Sequence, residues 1–217
     1  MNGDAELQKD VLAELEFEPS VNVEDIGVSV KEGMVTLNGS VGSHAEKLAA
    51  ASAAKRVAGV RGLAEDILVK LPVSSRRADS DIAAAAANAV EWINMVPKDS
   101  VTITVHDGWL GLEGAVDDWH QKSAAEEAVR NLAGVKGVAN LIVIKPKVAS
   151  VDIKGAIKAA FDRHAMLDAR KIQVETNGGH VLLRGHVRNF YEREEAERAA
   201  WTAEGVTNVE NRIVLII

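Results

Sequence analysis

The sequence predicts an α+β fold built as three tandem αββαβ repeats, each a three-stranded mixed sheet with two helices on one face. Three observations predict it. A strand closing on glycine occurs as Val35-Thr36-Leu37-Asn38-Gly39, Leu110-Gly111-Leu112-Glu113-Gly114 and Val181-Leu182-Leu183-Arg184-Gly185. Each copy is followed 20 residues later by Gly59-Val60, Gly134-Val135 and Gly205-Val206. Apolar residues also coincide in register without insertion, at Leu7, Ile82 and Ile153 and at Ile67, Ile142 and Ile213. A fixed period of this kind marks a repeat architecture. The repeats are expected at residues 4–71, 79–147 and 150–217, joined by short proline-marked links at Pro72 and Pro146.

Each repeat opens with an amphipathic helix, on the stripe Leu7, Val11 and Leu15 in the first copy, Ile82, Ala86 and Val90 in the second, and Ile153, Ile157 and Phe161 in the third. Asp4, Asp79 and Ser150 stand where an N-cap is expected. Alternation of Ile26, Val28, Val30, then Val35, Leu37, predicts two half-buried strands around a tight turn containing Gly33. Its counterparts are His106-Asp107-Gly108 and Asn177-Gly178-Gly179. Gly39, Gly114 and Gly185 are expected at a bulge or a close backbone approach, under the helix that follows.

The second helix is announced by a capping box in all three copies: Ser43 with Glu46, Asp118 with Gln121, Asn189 with Glu192. Its inner face is rich in alanine, including Ala50, Ala53 and Ala54, which lets it lie close to its neighbours. Gly59, Gly134 and Gly205 are expected as left-handed C-terminal residues of that helix. The last strands, Ile67-Leu68-Val69, Ile142-Val143-Ile144 and Ile213-Val214-Leu215-Ile216-Ile217, are apolar on both faces, the pattern of a strand covered on both sides. A neighbouring repeat or another subunit is expected to cover Val214 and Ile216, so oligomerisation is left open.

Composition narrows the functional classes. The net charge is -7 and cysteine is absent. An acidic chain lacks the positive field of a duplex-binding protein, so no nucleic-acid partner is expected. Without thiols there is no disulfide or thiolate site, in keeping with a reducing compartment. The N-terminus is acidic where an export signal would be basic, and a cytoplasmic location is the expectation. No run reaches the ~20 apolar residues of a membrane helix, so an integral membrane protein is not expected. The six histidines are scattered, no metal-binding or nucleophile motif occurs, and neither an enzyme nor a cofactor nor a metal is predicted.

Contact surfaces are the remaining functional signal. Residues 150–217 alone balance Lys and Arg against Asp and Glu, at 10 each. By strand parity Arg184, His186 and Arg188 face away from the helices there, the arrangement that would hold a phosphate or anionic head group. Trp92 and Phe17 share a repeat position off the buried stripe, and Trp92 with Met95 is assigned to inter-repeat or partner contact. Val21, Val96 and Leu167, which align, are expected to plug the core from the loop after the first helix.

The element order and the spaced signature, ending in Asn140 or Asn211 before the final strand, resemble the BON domain, a name that abbreviates bacterial OsmY and nodulation. The first copy departs from the pattern at Glu65. The resemblance implies a non-catalytic module associated with osmotic or envelope stress, contacting anionic phospholipid or a protein partner. It also implies a second reading, a cytoplasmic potassium sensor that binds the ion through loop carbonyls.

Overall fold

A computed structural model describes residues 3–146, 152–164 and 169–216. The first unit runs α1 (Asp4–Phe17), β1 (Ile26–Lys31), β2 (Met34–Val41), α2 (His44–Arg56) and β3 (Gly62–Val69). The second runs α3 (Asp79–Glu91), β4 (Val101–His106), β5 (Trp109–Val116), α4 (Trp119–Val129), β6 (Gly137–Asn140) and β7 (Val143–Ile144). The third runs α5 (Ile153–Arg163), β8 (Ile172–Asn177), β9 (His180–Val187), α6 (Phe190–Trp201) and β10 (Asn208–Leu215). In every unit the second strand is central. It pairs antiparallel with the first strand and parallel with the last, an adjacency that the sequence left undecided.

The predicted stripes are the core: Leu7, Val11 and Leu15, then Ile82, Ala86 and Val90, then Ile153, Ile157 and Phe161 are all buried. The alanines of α2, α4 and α6 are buried with them, Ala50, Ala53, Ala54, Ala125, Ala196, Ala199 and Ala200. Val96 is buried and Val21 packs partly buried on the core as expected, while Leu167 lies outside the described residues.

Several local expectations are corrected. Asp4 and Asp79 are not N-caps; the chain enters these helices at Gly3 and Ala78, neither of which makes a side-chain cap bond. Their carboxylates instead reach the hairpin turn, Asp4 accepting from the amides of Glu32 and Gly33 and Asp79 from those of Asp107 and Gly108 at 2.8 and 3.0 Å. Both turn residues have positive φ in these two hairpins, and a carboxylate receiving two converging amides fixes that conformation. Ser150 lies outside the described residues, and α5 is capped by Asp152, which accepts from the Gly155 amide. We expect Asp79→Ala to cost about 1.5 kcal/mol or more of stability, read by urea denaturation through the tryptophans of its unit, Trp92, Trp109 and Trp119. An unchanged midpoint would show that the turn holds its shape without the clamp.

The capping boxes form, with a shift of one residue in the return bond. Ser43, Asp118 and Asn189 accept from Glu46, Gln121 and Glu192 amides, whereas the side chains of those three residues accept from the amides of Gly42, Asp117 and Arg188. Gly59, Gly134 and Gly205 do have positive φ, but α2, α4 and α6 end three to five residues earlier, so these glycines turn the chain beyond the helix and do not cap it. Gly39, Gly114 and Gly185 are left-handed, with φ of 119°, 138° and 133°. Their close approach is not to the following helix. An added Cβ would overlap the carbonyl oxygens of Asp25, Ser100 and Lys171, just before the first strand of each unit.

The units meet through their second helices. Packing of α2 on α6 joins the cores of units one and three into one cluster, and Lys55 of α2 pairs with Glu194 of α6 at 3.0 Å. Unit two keeps a separate core, against which Trp201 of α6 packs. His44, at the start of α2, has a buried Nδ1 without a hydrogen-bond partner. Burial, reinforced by Lys47 one turn on and by Arg130 just past α4, holds its imidazole below the usual range, against the opposing pull of Glu126 of α4 and Glu65 of β3. The folded chain therefore binds fewer protons there than the unfolded one. This contribution to stability is complete above about pH 6.5 and is lost as pH falls toward the depressed folded value. Melting at pH 7.5 and 5.5 should show a larger drop for wild type than for His44→Gln; equal drops would refute it.

Candidate binding surfaces

Helices cover one face of each sheet, and the outward face is left open. In the third unit β9 turns Leu182, Arg184 and His186 outward, while Val181, Leu183 and Val187 are buried beneath α6. Parallel pairing places Arg212 of β10 directly beside Arg184, and Val214 beside His186. Arg212 was missed in the sequence because nothing local gives the β9–β10 register. Each arginine leans on a carboxylate: Arg184 lies 3.9 Å from Glu175, and Arg212 2.6 Å from Glu210. The face thus carries two guanidinium groups whose charge is offset by exposed, exchangeable partners, and such surface pairs hold each other by only ~1 kcal/mol or less.

Arg188 is placed differently. It follows β9, donating from Nε to Glu192 at 3.0 Å while its amide donates to the same carboxylate. It therefore serves the start of α6, with Glu192 buried. Of the three sequence candidates, the structure brings Arg184 and His186 onto one face and assigns Arg188 a local partner.

Val214 and Ile216 are 62% and 50% exposed, Leu68 and Val143 stand out of the equivalent strands, and Leu141 is exposed in the break between β6 and β7. The expected cover by a neighbouring repeat is absent, because the units use their alanine-rich helices to meet and turn their sheets away. Trp92 is likewise 85% exposed, with Met95 and Phe17 also exposed, so inter-repeat packing of Trp92 is corrected to a free surface. Trp109 went unnoticed in the sequence: its ring lies across Gly137 of β6, as Met34 lies across Gly62 of β3. A glycine on the next strand makes room for each, a signal visible only with the register in hand.

Asn140 and Asn211 explain their place in the spaced signature. Each amide donates to a helix carbonyl and a helix carboxylate, Lys122 and Glu126 or Arg193 and Glu197, while its oxygen accepts the amide two residues on. The side chain ties the last strand to the second helix; Glu65 in the first unit has no amide group to do so.

Among the described residues no cluster of His, Cys, Asp and Glu is arranged to hold a metal, and no helix is long and apolar enough to cross a membrane. Three αββαβ units meeting through their second helices, each with its sheet face open, match the BON domain at residues 3–70, 78–146 and 150–216, and the chain belongs to the BON-domain family. It is similar to the osmotically-inducible protein Y of Escherichia coli (strain K12), with 29% identity over 141 residues that span 63% of this chain and 70% of that protein. Among solved structures, similarity extends to CdsD, a structural protein of the type III secretion system of Chlamydia trachomatis, at 12% identity and a TM-score of 0.27, covering 96% of this chain and 91% of that one.

Proposed function

We propose that this chain is a stress-associated binding or scaffolding protein that acts by surface contact without turnover, its three BON modules presenting open sheet faces to an anionic phospholipid surface or a protein partner. The observation that carries the reading is the outward face of the third unit, where Arg184 and Arg212 stand side by side next to His186, Val214 and Ile216. Guanidinium groups beside exposed aliphatic side chains suit a phosphate head group and the first methylenes below it. The stress association follows the osmotically induced relative.

Vesicle co-sedimentation tests it. Wild type should pellet with phosphatidylglycerol vesicles at low salt, less with phosphatidylcholine, and progressively less as salt screens the arginines. Arg184→Glu with Arg212→Glu should abolish pelleting. Equal pelleting of variant and wild type would remove these arginines from the function.

A further inference from the structure

The link between the first two units gathers positive charge in an acidic chain. It leaves β3 at Lys70, makes a single 3-10 turn over Val73–Ser75 and enters α3 after Arg76 and Arg77. The stem of Arg77 lies on Gly134 of unit two: a Cβ added to that glycine would fall 2.9 Å from the Cβ of Arg77. Lys136 comes from the unit-two wall, its amide donating to the Gly108 carbonyl at 2.8 Å. Lys70, Arg76, Arg77 and Lys136 thus line one cleft of about 500 Å³, together with Asp79 and Asp107. Both arginines are steadied by neutral groups. Arg76 Nε donates to the Leu71 carbonyl at 3.3 Å, and Arg77 Nη1 to the carbonyls of Ser74 and Arg76 at 2.8 Å. Such bonds fix a guanidinium and leave its charge and its other donors unspent. Among the described residues none of the four cations has a carboxylate within ion-pair reach. Asp79 is turned to the amides of Asp107 and Gly108, and Asp107 leans on His106 at 3.5 Å. Four cations against two carboxylates leave the cleft two positive charges in excess, where the whole chain carries -7. Unit three lacks this set. Thr207 holds the repeat position of Lys136, and the cleft beside α5 sets Lys154, Lys158 and Arg170 against Asp162 and Glu175, one charge from balance.

We propose that the cleft between units one and two binds a soluble ligand with two adjacent phosphates, a diphosphate ester or anhydride. The charge excess sets the class, since balance calls for at least two negative charges and a phosphodiester head group supplies one. Guanidinium forks grip phosphate oxygens in pairs, and the lysines add point charges. The volume lies in the range of small-ligand sites, roughly 300–1,000 Å³. The cations also stand on two walls, Lys70, Arg76 and Arg77 on one and Lys136 on the other, so a compact anion inside the cleft meets all of them, whereas a flat lipid surface meets only the rim. A ligand held by both walls ties the link to unit two and stabilises that junction. This site is apart from the outward sheet faces and rests on the binding reading only in that the chain acts without turnover.

Isothermal titration calorimetry of the full chain with inorganic pyrophosphate tests it. Saturable binding is expected, weakening as salt rises and about tenfold or more tighter than that of citrate, a carboxylate anion of like charge. Arg76→Gln with Arg77→Gln, both exposed in the link, should weaken binding about tenfold or more with little change in the ligand-free melting temperature. Lys136→Gln should weaken it from the other wall. Lys154→Gln with Lys158→Gln removes the same charge from the third unit and should keep the affinity. Absence of saturation, equal affinity for citrate, equal affinity of the Arg76, Arg77 variant, or an equal loss in the Lys154, Lys158 variant overturns the proposal. Pelleting of the Arg76, Arg77 variant with phosphatidylglycerol vesicles should match wild type, which separates failure here from failure of the sheet-face reading. Loss of pelleting would give these arginines to a lipid surface and overturn the soluble ligand.

Discussion

Gly114→Val is expected to destabilise the second unit by about 3 kcal/mol or more. Two costs add: a β-branched residue at φ 138° is forced far from its allowed backbone region, and its Cβ would overlap the Ser100 carbonyl oxygen. That oxygen already accepts the Ala115 amide at 3.2 Å, so it cannot withdraw without breaking a bond that holds β4 against β5. Gly114→Ala should recover only part of the loss, because the overlap begins at Cβ. Urea denaturation followed by tryptophan fluorescence measures both. A valine variant with wild-type stability would mean that the strand can shift away, and that the glycine in all three units is there for another reason.

Phe161→Ala should cost about 3–5 kcal/mol, the usual range for deleting a fully buried ring. The loss should be unevenly felt. Phe161 belongs to the core that units one and three share, whereas unit two has a core of its own and contains three of the four tryptophans. Circular dichroism, which sees every helix, should show a melting transition lowered by roughly 10 °C, with the tryptophan transition moving less. If both moved together, Trp201 would couple the two cores into a single cooperative unit.

Much of this fold is legible in the sequence, because a threefold coincidence of pattern removes the ambiguity of any single stretch. Ser43, Asp118 and Asn189 are each a weak capping signal alone and a firm one together. What stayed hidden depends on distances that no periodicity encodes. Asp4 looks like a helix cap because cap and first-turn positions differ by one residue, and only folding brings the Glu32 and Gly33 amides to it. The open faces were misread for a related reason: a strand apolar on both sides, such as Ile213 to Ile216, looks the same whether its second face is covered or offered to a partner. Arg188 was grouped with Arg184 by strand parity, yet β9 has ended by Val187 and Glu192 takes the guanidinium.

The contact of α2 with α6 has a consequence for synthesis. Lys55 and Glu194 lie 139 residues apart, which a ribosome adding ~5–20 residues per second covers in roughly 7–30 s. Once β3 has followed, and for the rest of that interval, the first unit is complete in its own hydrogen bonding yet lacks the surface that finally buries the outer side of α2. A nascent chain stalled before Phe190 would carry an alanine-rich helix with no partner, and units one and two would wait, side by side, for the last segment to leave the ribosome.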